Sequence, residues 1–143
     1  MTDLSKLYRI AEEENIEVDC FDLKKREALS LMDNNGQCFI AIDPFQLRSV
    51  NDERLKLAHE LGHCITGSFY NEYAAVDCRQ RQENRADKWA IKKLIPLDSL
   101  DGAILAGYTQ LWELAEHFGV SEQFMQKAVC YYTYGNLATE LYF

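Results

Sequence analysis

Histidine and proline are scarce in this chain, with three and two residues among 143, and no apolar run approaches the ~20 residues that a membrane span needs. The segment from Met1 to Glu14 is polar and acidic rather than basic and then apolar, so no secretory signal is expected in it. There is no CxxC. The five cysteines, Cys20, Cys38, Cys64, Cys78 and Cys130, are odd in number and irregularly spaced. That argues against a disulfide framework and against a thiolate zinc site, and fits thiols in a reducing cytoplasm. Positive charge is also in deficit: the net charge is −8, which repels nucleic acid and anionic lipid and leaves neither as a default partner. Repeats, low-complexity tracts and Pro/Gly-rich linkers are absent, so residues 1–143 read as a single domain.

The apolar spacing predicts a helix over Ser5 to Asn15, with Leu4, Leu7, Tyr8 and Ala11 on one face, and a strand within Ile16 to Leu23. Ala28 to Met32 and Gln37 to Ile42 flank Asp33-Asn34-Asn35-Gly36. This turn signal makes the two runs a β-hairpin ending near Pro44. Beyond Pro44 the pattern becomes helical. One helix is expected from Asn51 or Asp52, as the cap, to about Ile65, and a second from about Arg79 to Leu94, stopping before Pro96. A third spans about Thr109 to Phe118, and a fourth starts at the N-cap Ser121. The fold class is therefore α+β: a small antiparallel sheet near the N-terminus, then a mainly helical body that includes the pair at about 108–132.

Two of the three histidines stand in Leu57-Ala58-His59-Glu60-Leu61-Gly62-His63, an HExxH. Residues four apart on a helix lie one turn apart on one face, so two imidazoles at this spacing can reach one metal ion. Glu60 is offset around the helix and is placed to act as a base on a metal-bound water rather than as a ligand. A catalytic zinc site usually takes three protein ligands and leaves one position open. The extended HExxHxxGxxH pattern is excluded, because Thr66 and Phe69 stand where Gly and His would be required, and His117 lies far downstream on another predicted helix. Glu83, twenty residues after His63 on the next predicted helix, is the better third ligand. Asp87, four residues later on the same face, can accept a hydrogen bond from the outer N–H of a ligand histidine and fix its tautomer. Tyr70, Tyr73 and His117 are candidate donors to a developing oxyanion.

HExxH, followed by Glu83-Asn84-Arg85-Ala86-Asp87-Lys88-Trp89-Ala90 and Leu94-Ile95-Pro96, resembles the ImmA/IrrE family of metallopeptidases. The upstream hairpin and Leu114 to Ser121 fit the same layout, so the resemblance covers roughly residues 5–132, with only the two zinc blocks specific. The Glu-x-x-x-Asp spacing also resembles the gluzincins, of which thermolysin is the best-known member. The resemblance implies a zincin-like core with Zn2+ held by His59, His63 and Glu83, and Glu60 as catalytic base. It further implies cleavage of an intracellular regulator, typically a helix-turn-helix repressor. The departures are Asp at 87 where Asn is common and Trp at 89 where Phe is common.

Two other readings compete. Leu111, Leu114, Ala115 and Phe118, then Gly119-Val120-Ser121, then Phe124, Met125 and Ala128, have the spacing of a helix-turn-helix. From Tyr108 to Phe143, however, Lys127 is the only basic residue, and a recognition helix needs arginine or lysine for phosphates and base edges. A structural helical pair or a partner-docking surface is the expectation there. The second alternative is a non-catalytic acidic interaction module, such as a phage or toxin–antitoxin accessory factor, on a zincin-like scaffold. Absence of bound metal would favour it; where such a module kept the metal only for structure, intact Glu60 weighs against it, since a structural metal site has no need of a base. The strand Cys38 to Ile42 is also a candidate free edge for an extended substrate.

Overall fold

A computed structural model describes residues 3–137. Helix α1 (Asp3–Glu13) turns Leu7 and Ala11, one turn apart, into the core. Asn15 then adopts a left-handed φ of 56°, which asparagine tolerates better than most residues, and the chain reverses into strand β1 (Glu17–Cys20). Strands β2 (Ala28–Met32) and β3 (Cys38–Ile42) form the expected hairpin. Its turn is closed by Asp33, whose Oδ1 accepts from the amides of Asn35 and Gln37 at 2.8 and 2.9 Å, and by Gly36 at φ 84°.

The sheet order is β1-β3-β2, with β1 parallel to β3 and β2 antiparallel to it. Two expectations are corrected here. The sheet is mixed rather than antiparallel, because the link from residue 21 to 27 carries the chain from one side of β3 to the other before the hairpin begins. And β3 is the central strand, paired on both sides, so it offers no free edge. Its alternation buries Cys38, Ile40 and Ile42. The exposed edge nearest the helices belongs to β2 instead. Buried Asp43 pins the layout, accepting from the amides of Leu23 and Phe45 at 3.0 Å each.

The helical body is α2 (Val50–Thr66), α3 (Val76–Leu94), α4 (Leu97–Leu105), α5 (Leu111–Phe118) and α6 (Glu122–Tyr134). The cap of α2 is Ser49, whose hydroxyl accepts from the Asp52 amide at 3.1 Å, and not Asn51 or Asp52. Asp52 reaches back to the Arg48 amide, so its carboxylate closes the same turn from inside the helix. Helix α3 starts three residues before the expected Arg79, and α4, capped by Pro96, was not expected at all. Only Leu100 and Ala103 of α4 are buried, too brief a periodic signal to stand out in sequence. Ser121 caps α6 as predicted, accepting from the Phe124 amide.

The core joins β3, one face of α2, the middle of α3 and the inner faces of α5 and α6. Leu57, Leu61, Ile40, Ile91 and Met125 are essentially sealed from solvent. Among the described residues no helix is long and apolar enough to cross a membrane.

Candidate metal centre

The site begins with a close approach between two helices. A Cβ placed on Gly62 would stand 2.5 Å from the Ala86 carbonyl oxygen, so the backbones of α2 and α3 touch at a point only glycine allows. Ala86 and Ala90 are fully buried along the same seam. One side of this crossing carries His59 and His63 on α2, the other Glu83 and Asp87 on α3. Both pairs are four residues apart, so each presents two side chains to the shared groove.

The side chains converge there. His59 Nε2 lies 2.7 Å from Glu83 Oε2, His63 Nε2 lies 3.1 Å from His59 Nε2, and His63 Nε2 lies 3.4 Å from Glu83 Oε2. With ligand bonds of about 2.0–2.1 Å, three corners of a tetrahedron around zinc would be about 3.3 Å apart. The triangle found is near that size, and its two-nitrogen, one-oxygen donor set suits zinc. The residues present therefore fit the ion.

The remaining atoms of these side chains are held. His59 Nδ1 is 2.8 Å from Asp87 Oδ1, and His63 Nδ1 faces the Ser68 carbonyl oxygen. Both acceptors call for N–H at Nδ1, which leaves Nε2 of each ring, facing Glu83, as the atom able to bind a metal. Tyr70 donates its hydroxyl to Glu83 Oε1 at 2.6 Å, leaving Oε2 for the histidines. Glu60 is 8% exposed, and its Oε1 accepts from Ser30 Oγ on β2 at 2.9 Å.

The electrostatics follow from this packing. Burial pulls the His59 pKa down, but hydrogen bonds to Asp87 and Glu83 outweigh it and push it up to about 10. Burial alone would raise Glu83, yet His59, His63 and Tyr70 together hold it well below the usual carboxylate range. Asp87 is likewise held down by His59 and Lys127 against its burial. Burial and the neighbouring Glu83 push the Tyr70 phenol up to about 12.

Two cavities meet at His59 and Glu83. One, of about 260 Å³, lies between β2 (Ala28 to Leu31), Glu60 and the loop from Ser68 to Glu72. The other, of about 380 Å³, opens toward α6 and is walled by Ser121, Phe124 and Lys127.

Of the three oxyanion candidates, the structure brings only Tyr70 to the triad. Tyr73 is 87% exposed on the α2–α3 loop, with its amide bonded to Asn71, and it lines neither cavity. His117, on α5, packs its ring at a tilt against Tyr108 at 4.5 Å between centroids and lines neither cavity. Sequence reasoning missed Ser30, since nothing in a hairpin pattern says which strand meets a helix residue. It also passed over Lys127, noted only as the lone base of an acidic segment.

The model of the peptidase M78 family, described as the IrrE N-terminal-like domain, matches residues 11–129. No curated protein matches the chain.

Proposed function

The chain belongs to the M78 peptidase family, the IrrE N-terminal-like domain, and on that premise we propose that it is a zinc-dependent endopeptidase with Glu60 as its base. The observation that carries this reading is the convergence of His59, His63 and Glu83 within one ligand sphere, beside a buried carboxylate that is not part of it. Bound zinc would supply Lewis acidity, lowering the pKa of a water toward about 7 and polarising the scissile carbonyl.

The chain's own residues would do the rest. Asp87 keeps the His59 ring in the tautomer whose Nε2 faces the metal, and the Ser68 carbonyl does the same for His63. Glu60, held by the Ser30 hydroxyl, takes the proton of the attacking water and passes it to the leaving amine. Tyr70, already at Glu83 and far from giving up its own proton, is the donor at hand for the developing oxyanion. An extended substrate adds to the edge of β2 opposite β3, which pairs with no strand among the described residues. Backbone hydrogen bonds along that edge would align the scissile bond with Glu60.

A cytoplasmic helix-turn-helix repressor is the substrate we propose, following the family resemblance. The −8 net charge suits a protein that meets a basic DNA-binding partner rather than DNA itself.

The test is metal content by mass spectrometry on protein purified without chelator, beside His63→Ala and Glu83→Ala. Near-stoichiometric zinc in the parent, lost in both variants, is expected. Glu60→Gln should keep the zinc and lose cleavage of the repressor. A parent that takes up no zinc even when it is supplied would leave the acidic interaction module as the better reading.

A further inference from the structure

The Asp87 carboxylate has two oxygens, and each has a partner of its own. Oδ1 faces His59 Nδ1 at 2.8 Å, while Oδ2 accepts from Lys127 Nζ at 2.9 Å. Asp87 is 6% exposed, so its charge has little help from water. A buried carboxylate whose second oxygen lost its partner would carry a desolvation penalty, and would rotate or draw in water to relieve it. Either response would disturb the oxygen that holds the His59 ring.

Lys127 is well placed to prevent this. It stands on α6, whose Phe124, Met125 and Ala128 are buried in the core, so its backbone is fixed relative to α3. Its side chain is one-quarter exposed, and its ammonium group ends at the carboxylate. It is also the only basic residue between Tyr108 and Phe143, in a segment that otherwise carries Glu113, Glu116, Glu122 and Glu140. A lone cation in an acidic segment, directed at the one buried carboxylate behind a ligand histidine, is hard to account for as surface decoration.

We propose that Lys127 is a positioning residue of the metal centre, which locks Asp87 so that Asp87 orients His59, and thereby makes α6 part of the metal site. The proposal rests on the metallopeptidase reading above, because it assigns Lys127 a role only if His59 is a ligand. Lys127 touches neither the triad nor Glu60 and acts through one carboxylate. Removing a partner of this kind directly behind a ligand costs roughly 10–100-fold in metal affinity. One step further out, the expected loss for Lys127→Met is roughly 3–10-fold.

The experiment measures zinc affinity by competition with a chromophoric chelator in the full chain, for the parent, Lys127→Met, Lys127→Gln, Lys127→Arg, Asp87→Asn and the Lys127→Met/Asp87→Asn pair. Visible spectra of the cobalt(II)-loaded forms and thermal unfolding are recorded for each. Weaker zinc binding is expected in the Met and Gln variants, with a changed cobalt spectrum, and near-parental behaviour in the Arg variant. The double variant should bind no more weakly than Asp87→Asn alone, because Lys127 then has nothing to act through. Parental affinity and cobalt spectrum in both Lys127→Met and Lys127→Gln would overturn the proposal. So would a loss that persists undiminished on top of Asp87→Asn, which would mark a general loosening of α6. A parent that binds no zinc would overturn the metallopeptidase reading itself, and the role of Lys127 with it.

Discussion

Gly62→Ala tests whether the α2–α3 contact builds the site. A view confined to the helix predicts stabilisation, since alanine is favoured over glycine in a helix interior by about 0.8–1.0 kcal/mol. The structure predicts the opposite. The added Cβ would meet the Ala86 carbonyl oxygen at 2.5 Å and Ala86 Cα at 3.0 Å, and both are backbone atoms that no rotamer change can move aside. Reaching ordinary van der Waals contact at 3.4 Å or more requires the helices to part by about 0.9 Å. Overpacking of this kind costs about 1–3 kcal/mol, which outweighs the gain in propensity. Glu83 lies one turn before Ala86 on the same rigid helix, so it retreats from His59 and His63 by a similar amount. Metal–ligand distances tolerate only about ±0.2 Å, so the loss of zinc affinity should exceed the loss of stability and reach at least about tenfold. The internal control is Gly102→Ala on α4, where nothing stands within 4 Å of the new Cβ and the helix should gain about 0.5–1 kcal/mol. Chelator competition and thermal unfolding of both variants read the outcome. A Gly62→Ala protein that is more stable than its parent and binds zinc as tightly would refute the reasoning.

Three further outcomes follow from named contacts. Zinc must displace the proton that Asp87 and Glu83 hold on His59. Because the folded pKa of His59 is raised, its ion pairing stabilises the metal-free protein fully below pH 6.5 and is lost as pH rises toward about 10, while apparent zinc affinity climbs through the same window. Calorimetry in buffers of different ionisation enthalpy should find close to one proton released per zinc at pH 8, and no release there would contradict the assignment. Arg54 is 6% exposed and donates to the carbonyls of Phe118 and Gly119 at 2.7 and 2.9 Å, so Arg54→Met should destabilise by about 2–3 kcal/mol in urea unfolding and leave zinc affinity near parental. Ser49→Ala removes the α2 cap and should cost about 1 kcal/mol, again without changing the metal site; a loss of zinc from this variant would show that the site depends on the helix terminus.

The local features were legible because they are written in a few adjacent residues. Asp33 to Gly36 can only be a turn, Ser121 sits where a cap must be, and a histidine pair four apart on a helix announces a shared target. The placement of Glu83 beside the two histidines was legible by a longer inference, through helix spacing and the search for a third ligand. What failed was whatever depends on competition among neighbouring side chains or on partners distant in sequence. The cap is Ser49 rather than Asn51 or Asp52, because three side chains compete for one helix terminus and propensity does not choose among them. The edge assigned to β3 belongs to β2, because strand order is set by how a loop crosses the sheet and not by the pattern of the strand. Tyr73 and His117 had the right chemistry for an oxyanion donor and the wrong place in the fold.

HExxH is thus only the portion of the centre that a single helix can encode. Its two histidines offer two possible donor atoms, but the tautomer that would make them so is favoured by Asp87 from α3 and by the Ser68 carbonyl from the loop beyond Gly67. The carboxylate that would complete the donor set, Glu83, comes from α3, and Glu60, the proposed base, is held by a serine from the sheet. A site assembled from so many elements cannot be preformed in the unfolded chain, so under the proposed function zinc binding would be coupled to folding. Zinc present at a thousand times its dissociation constant would add about 4 kcal/mol to the stability of the fold. That exceeds the about 1–3 kcal/mol expected from parting α2 and α3 at Gly62, so bound zinc would offset the overpacking only to the extent that the displaced Glu83 still let it bind.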